Sequence, residues 1–139
     1  MASVAECSVA VIPDTQVSTR RGVVVGVAGG AWEAAVVWGA NEATRLGNEL
    51  SLVHAATADE GNDLLADAAA LASHIHPALV IRRRVSRRRP SEALLDLSRS
   101  AGLLVLGASH LSTARAGFLG STTHEVLLNI NSPVVVARA

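Results

Sequence analysis

The hydrophobic residues of this 139-residue chain fall into segments with two alternating spacings. Some segments are short continuous runs rich in Val, Leu and Ile and bounded by Gly, Arg or Pro, which is typical of strands buried on both faces of a sheet. These runs are residues 22–28, 50–55, 78–85, 103–106 and 134–137. The other segments carry apolar residues every three or four positions, as in helices. These segments are residues 32–46, 62–72, 90–101 and 121–129.

The predicted strands and helices alternate along the chain. Such alternation predicts an α/β fold with an open parallel sheet, right-handed crossovers and helices on both faces of the sheet. Residues 8–12 (SVAVI) precede the first of these units and have the composition of an extra strand. We therefore divide the chain into an N-terminal tail, residues 1–20, and a single α/β domain, residues 21–139.

Composition narrows the class of protein. Half of the residues are hydrophobic and 17% are charged, which excludes a disordered chain. No apolar run approaches the roughly 18 residues of a membrane span. Twelve acidic residues balance twelve basic ones, all arginine, so the net charge predicts no general attraction to membranes or DNA. The sole cysteine, Cys7, excludes a disulfide framework, and the chain begins without a signal-peptide pattern. We expect a cytoplasmic protein, and the arginine bias indicates a bacterial source.

Two glycine-rich loops are candidate ligand sites. Ligands of open α/β sheets bind beyond the carboxyl ends of the strands, where the strand order reverses. One loop is residues 28–30, and the other is residues 107–120. The second loop ends at Gly120 and is followed by Ser121 and Thr122, which open a predicted helix with a capping-box pattern. Such a helix start attracts anions, although composition alone favours simple capping roles for these two side chains.

The spacing of the second loop resembles the nucleotide-binding signature of the universal stress protein family. That signature is Gly, two residues, Gly, nine residues, Gly, then Ser or Thr. Here Gly107 is followed by His110 in the place of the middle glycine, then by Gly120 and Ser121. The flanking segments LVLG and SPVVVAR, and VHA further upstream, are also similar to the family, so the resemblance covers residues 22–138.

The resemblance implies a Rossmann-like sheet of five strands in the order 3-2-1-4-5. It also implies a homodimer through the last strand and, in one branch of the family, ATP in the crevice between strands one and four. If ATP binds, a metal such as Mg²⁺ is needed to neutralise the phosphate charge. The residues that the resemblance assigns to this adenine-nucleotide site are Ala28, Ala55, Gly107, His110, Gly120, Ser121 and Thr122.

Three departures from the family pattern bear on ATP. Relatives that bind ATP usually carry Asp at the end of the first strand, where this chain has Ala28, and no acid lies between residues 25 and 31. His110 replaces a glycine, and so does Arg88. These departures favour a degenerate or altered pocket. Because no catalytic acid–base set is present either, we expect a stress-response or signalling module rather than an enzyme. The alternative is slow ATP hydrolysis or phosphate transfer.

The arginine run at residues 82–89 and the pair His74 and His76 are weaker candidates. Clustered arginines bind nucleic-acid phosphates, but they also keep an edge strand from aggregating. Only 2% of the residues are aromatic, so base stacking has little support and the edge-strand interpretation is preferred. Two histidines without a third ligand indicate a surface pair. We therefore expect neither nucleic acid nor a metal as a partner.

Three consecutive valines, Val134, Val135 and Val136, form the last predicted strand. We predict that this strand lies at an edge of the sheet. A long apolar edge aggregates unless it is covered, and pairing with a second copy about a two-fold axis would satisfy its N–H and C=O groups. The sequence therefore predicts an antiparallel dimer contact centred on these valines.

Overall fold

The structure, a computed structural model, describes residues 8–12, 20–28, 32–55, 60–107, 126 and 132–138. Over these ranges it contains six strands and three helices. The strands are β1 (Val9–Val11), β2 (Val23–Gly26), β3 (Leu50–Ala55), β4 (Ile81–Ser86), β5 (Leu103–Gly107) and β6 (Val134–Ala137). The helices are α1 (Trp32–Leu46), α2 (Glu60–Ile75) and α3 (Pro90–Ser98). None of these described helices is long and apolar enough to cross a bilayer.

The strands form one sheet in the order β1-β6-β5-β2-β3-β4. All neighbouring pairs from β6 to β4 are parallel, and β1 is antiparallel to β6. The α/β prediction is confirmed, and so is the strand order 3-2-1-4-5, which corresponds to β4-β3-β2-β5-β6. The extra strand expected from residues 8–12 is β1, so the sheet has six strands instead of five.

The central strand β2 contributes to two hydrophobic cores because its side chains alternate between the faces of the sheet. Val23 and Val25 are fully buried against α1 and α2, together with Leu50 and Leu52 of β3. Val24 faces the opposite side, in a cluster with Leu94 of α3 and the buried Val126. Helices therefore cover both faces of the sheet, as predicted.

Helix α1 packs against β2 through a glycine, Gly39. The buried face of α1 consists mostly of small residues: Ala35, Val36, Gly39, Ala40 and Ala43. A Cβ atom added at Gly39 would overlap Cγ2 of Val25. The helix can approach the strand this closely only because residue 39 has no side chain. This contact fixes α1 against the strand whose carboxyl end borders the candidate crevice.

Several predicted boundaries are wrong by a few residues. The helix predicted over residues 62–72 extends over Glu60–Ile75, and the helix predicted to reach residue 101 ends at Ser98. The strand predicted from residue 78 begins at Ile81, because the Leu79 N–H donates to the His76 carbonyl and closes a turn after α2. The helix predicted over residues 121–129 lies outside the described residues except for Val126, which is helical.

The predicted edge position of the last strand is wrong, because β1 lies outside β6. Val9 pairs with Val136, Ala10 with Val135 and Val11 with Val134. In addition, the Arg138 N–H donates to Ser8 Oγ at 3.1 Å. A segment of the same chain thus satisfies the main-chain groups that were expected to recruit a second copy. The homodimer contact at Val134–Val136 stays a prediction, and it requires β1 to leave this edge.

Candidate functional site

The candidate site lies at the carboxyl ends of β2 and β5. The chain passes from β2 to β3 on one side and reaches β5 on the other side, so the strand order reverses between β2 and β5. Gly26 pairs with Leu106 in β5 and with Val53 in β3, which aligns the ends of the three strands. This reversal is the position at which open α/β sheets form a ligand crevice.

Three neighbouring strands end at this crevice in residues with minimal side chains. Ala28 lies two residues beyond Gly26, the last residue of β2, and is exposed, whereas Ala55 at the end of β3 and Gly107 at the end of β5 are half-buried. The Val27 N–H donates to the Val53 carbonyl at 2.8 Å, which continues the β2–β3 register toward Ala28. No side chain larger than a methyl group therefore extends from these three positions. The structure thus brings together three of the seven residues predicted for the site.

The other four predicted site residues lie outside the described part of the chain. They are His110, Gly120, Ser121 and Thr122. Their assignment to a nucleotide site stays a prediction that rests on the signature spacing. Gly107 is both the last residue of β5 and the first residue of the signature. The signature therefore begins at the carboxyl end of β5, on the same side of the sheet as the candidate crevice.

His54 is a polar residue beside the crevice that the sequence analysis did not assign to the site. It lies near the end of β3, half-buried, with Nδ1 2.6 Å from the Val27 carbonyl oxygen. A carbonyl only accepts, so Nδ1 carries the proton and donates, and Nε2 of the neutral ring is left as an acceptor. The sequence signal for His54 was a single polar residue near the end of an apolar strand. That signal alone did not distinguish a residue that contacts a ligand from one that forms a hydrogen bond to a neighbouring strand.

The described strand ends carry no carboxylate. The described residues that follow the strands on this side are Val27 and Ala28 after β2, Arg87 after β4 and Arg138 after β6, and β3 and β5 end in Ala55 and Gly107. Among the described residues, no three His, Cys, Asp or Glu side chains are grouped as a metal site. The described strand ends on this side of the sheet therefore carry basic and neutral side chains, which suit an anionic ligand better than a protein-bound cation.

The arginine run forms a basic edge, which we define as Arg82, Arg83, Arg84 and Arg87. Strand β4 is the outermost strand on this side of the sheet, and all four residues are exposed. Arg82 donates to both carboxylate oxygens of Glu49, at 2.7 and 3.3 Å. The other three have no charged partner within the described ranges. The predicted location at a sheet edge is confirmed, and the expectation that nucleic acid is not a partner stays a prediction.

Hydrogen bonds from Arg82, and secondarily its positive charge, hold the pKa of Glu49 below its usual value. A lowered folded-state pKa contributes stability that is present above the ordinary carboxyl pKa and is lost as the pH falls through the lowered value. We expect Arg82→Ala to return the pKa of Glu49 toward its usual value in a side-chain carboxyl NMR titration. Arg84→Ala, which removes an unpaired arginine from the same strand, is the control and should leave that pKa nearly unchanged. An unaltered Glu49 pKa in Arg82→Ala would contradict the pairing.

The histidine pair at the end of α2 has a structural contact. His76 Nε2 donates to Asn41 Oδ1 at 2.7 Å, which connects the end of α2 to α1. His74 is exposed in the last turn of α2. The described residues around the pair supply no third ligand. The contact assigns His76 to helix packing.

A sequence model of the universal stress protein family matches residues 19–138. Among curated relatives, universal stress protein Rv2005c of Mycobacterium tuberculosis is 29% identical over 143 aligned residues, which cover 86% of this chain. The same alignment covers 48% of that protein, so the chain spans about half the length of the curated relatives it matches.

Solved structures agree with this match. A universal stress protein in complex with cAMP is 28% identical, with a TM-score of 0.74, and the similarity covers 86% of this chain and 98% of that one. The universal stress protein of Archaeoglobus fulgidus in complex with dAMP has a TM-score of 0.69 at 21% identity and shares the fold, with coverage of 86% and 98%. Because the family model matches far more than half of the sequence, the chain belongs to the universal stress protein family.

Proposed function

We propose that this chain binds an adenine nucleotide in the crevice between β2 and β5 and acts in stress response as a signalling module without efficient turnover. The observation that carries the proposal is the row of small residues at the strand reversal. Ala55 and Gly107 end β3 and β5, and Ala28 lies two residues beyond the end of β2, on the same side of the sheet. Small residues at such a reversal leave space for a planar base and allow phosphates to approach the main chain.

The relative in complex with cAMP supports the choice of ligand. Its similarity to this chain extends over 98% of its own length at 28% identity. An adenine ring presents an amino group that donates hydrogen bonds. When the His54 ring is neutral, its Nε2 is an acceptor for such a group, because Nδ1 donates to the Val27 carbonyl. In this proposal Ala55 lines the base, and Gly107, His110, Gly120, Ser121 and Thr122 surround the phosphates.

The absence of turnover rests on the strand ends that the structure describes. Phosphate transfer requires groups that orient a nucleophile and neutralise developing charge, commonly with Mg²⁺ held by carboxylates. No carboxylate occurs at the described strand ends, and Ala28 occupies the position of the family's Asp. In this crevice, therefore, Mg²⁺ would be held by the phosphates of ATP and not by side chains at the described strand ends. Slow ATP hydrolysis or phosphotransfer remains the alternative function.

Calorimetric titration of the purified chain tests the binding. We expect saturable binding of ATP or cAMP, measured with Mg²⁺ and in EDTA. Ala28→Trp should weaken this binding at least about tenfold, because the indole fills the space beyond β2. Ala78→Trp is the matched control: Ala78 is also an exposed alanine, but it lies in the turn before β4, at the opposite end of the sheet. No binding of either nucleotide by the unaltered chain would refute the proposal.

Two further measurements separate binding from catalysis. We expect Ala28→Asp to weaken ATP binding in EDTA, because its carboxylate repels the phosphates, and to regain binding when Mg²⁺ is added. Phosphate release from ATP should stay at the level of the buffer. If the unaltered chain released phosphate and Gly120→Trp abolished that release, the enzymatic alternative would be correct.

The homodimer belongs to this proposal in a restricted form. The contact expected at Val134, Val135 and Val136 involves the side of β6 that β1 occupies. We therefore propose pairing of two copies only for chains in which β1 has left this edge. Nucleotide binding in the crevice does not require that pairing.

A further inference from the structure

The N-terminal strand β1 is weakly held in the sheet. It has three residues, fewer than any other described strand, and β6 is its sole neighbour in the sheet. Val9 and Val11 are only partly buried, Ala10 is exposed, and Ile12 just beyond the strand is 74% exposed. Among the described residues, its attachment therefore depends mainly on main-chain pairing with β6 and on the hydrogen bond from the Arg138 N–H to Ser8 Oγ. A segment with so little buried apolar surface opens at low free energy.

Strand β6, in contrast, belongs to the interior of the fold. All four of its residues are buried, with exposed fractions between 1 and 3%. Its other neighbour is β5, to which it is parallel. Departure of β1 would leave a row of unpaired N–H and C=O groups flanked by valine side chains. Such an edge pairs readily with another strand.

The register of β1 matches the pairing that a second copy of β6 would make. About a two-fold axis through Val135, residues 134, 135 and 136 of a second copy would lie opposite Val136, Val135 and Val134. In the structure those places are held, in the same antiparallel direction, by Val9, Ala10 and Val11. The sequence Val-Ala-Val also differs from Val-Val-Val only at its central residue.

We propose that β1 is an intramolecular substitute for a second copy of the chain: while it is paired with β6 it blocks self-association there, and its release opens that edge to the β6 strand of another copy. The occupant of the opened edge is a second copy because antiparallel pairing about a two-fold axis is self-complementary and leaves no new unpaired edge. The proposal does not depend on nucleotide binding.

The competition has a quantitative consequence. Both chains of a dimer must release β1, so the apparent association constant is proportional to the square of the fraction of chains in which β1 is released. If one chain in about ten is open, dimerisation is about a hundredfold weaker than for chains that lack a paired β1. A modest change in the stability of β1 therefore has a squared effect on assembly.

A disulfide lock tests the competition within one protein. The variant carries Val9→Cys and Val136→Cys, an opposed pair whose separation in an antiparallel ladder suits a disulfide, together with Cys7→Ser. Sedimentation equilibrium of the oxidised form should show monomer at every concentration. Reduction should restore a measurable association. Equal dimerisation of the oxidised and reduced forms would overturn the proposal.

Proline substitution tests the opposite direction. Ala10→Pro combined with Val11→Pro removes two adjacent N–H groups of β1 and should raise the dimer association constant about a hundredfold over the unaltered chain. The control is Ile12→Pro, one residue beyond the strand, which should leave association unchanged. Adding Val135→Asp to the double proline variant should return it to monomer.

Two outcomes would refute the proposal. One is a double proline variant that stays monomeric at concentrations where circular dichroism shows it to be folded. The other is an unaltered chain that is dimeric and becomes monomeric in the double proline variant, because that result would place the contact on the outer edge of β1. If the double proline variant precipitated, the oxidised and reduced forms of the disulfide variant would still decide the question.

Discussion

Replacement of Gly39 by alanine is expected to lower the free energy of unfolding by up to about 2 kcal/mol, measured by urea denaturation. Alanine favours a helix over glycine by about 1 kcal/mol, so the loss must come from packing. The added Cβ would overlap Cγ2 of Val25 and lie 3.4 Å from Cδ1 of Leu50. Both neighbours are fully buried, so neither can move without displacing the core between α1 and β2. Overpacking of this kind typically costs about 1–3 kcal/mol.

A double-mutant cycle identifies the atom responsible. Val25→Ala removes the overlapping Cγ2 and creates a cavity, so by itself it also destabilises the chain. In the double variant the new Cβ of residue 39 enters that space. Its loss of stability should therefore be smaller than the sum of the two single losses by about 1 kcal/mol or more. Thr44→Ala, on the exposed side of α1, is the control and should change stability by less than about 0.5 kcal/mol. Strict additivity of the two substitutions would contradict the proposed overlap.

Leu104→Ala is expected to cost about 2–5 kcal/mol, the largest effect of a single substitution that we predict. Leu104 is fully buried in β5, where its neighbours in the register are Val24 of β2 and Val134 of β6. It belongs to the core on the α3 side of the sheet. Truncation leaves a cavity that rigid strands cannot close. Domains of this size have a free energy of unfolding of about 5–15 kcal/mol, so the variant should lose a large part of that free energy.

Leu46→Ala is the matched control for this cavity. Leu46 is the last residue of α1 and is 45% exposed. Its truncation removes the same atoms without leaving a cavity, so a loss below about 1 kcal/mol is expected. Similar losses in the free energy of unfolding for Leu46→Ala and Leu104→Ala would contradict the burial of Leu104 in the core.

The agreement between sequence and structure is closest where a side-chain pattern and a stop signal coincide. Helix α1 has the predicted bounds, Trp32–Leu46, because its apolar spacing ends at Gly47, whose φ of +68° suits glycine. Strands β3 and β6 also have their predicted bounds. Helix α3 ends before residue 101, where the Arg99 and Ala101 N–H groups donate to carbonyls three residues earlier. That tightening of the last turn is a main-chain effect that apolar spacing does not encode.

The position of β1 in the sheet could not be predicted from the pattern of hydrophobic side chains. Its composition indicated a strand, but pairing with β6 is made by main-chain groups that every sequence carries. The candidate site shows a similar division. Spacing and resemblance were enough to propose Ala28, Ala55 and Gly107 as site residues, whereas the contact of His54 with Val27 depends on how two strands are aligned. Such a contact becomes visible only when the register is known.

The charge on the basic edge is permanent. Every base in this sequence is an arginine, and a guanidinium group stays protonated far above the pH at which a lysine ammonium is discharged. Acetylation of lysine, which removes charge from many protein surfaces, has no target side chain here. Lysine acylation would therefore leave the charge of the basic edge unchanged, so β4 retains its electrostatic protection against edge-to-edge association where a lysine-rich strand would lose it.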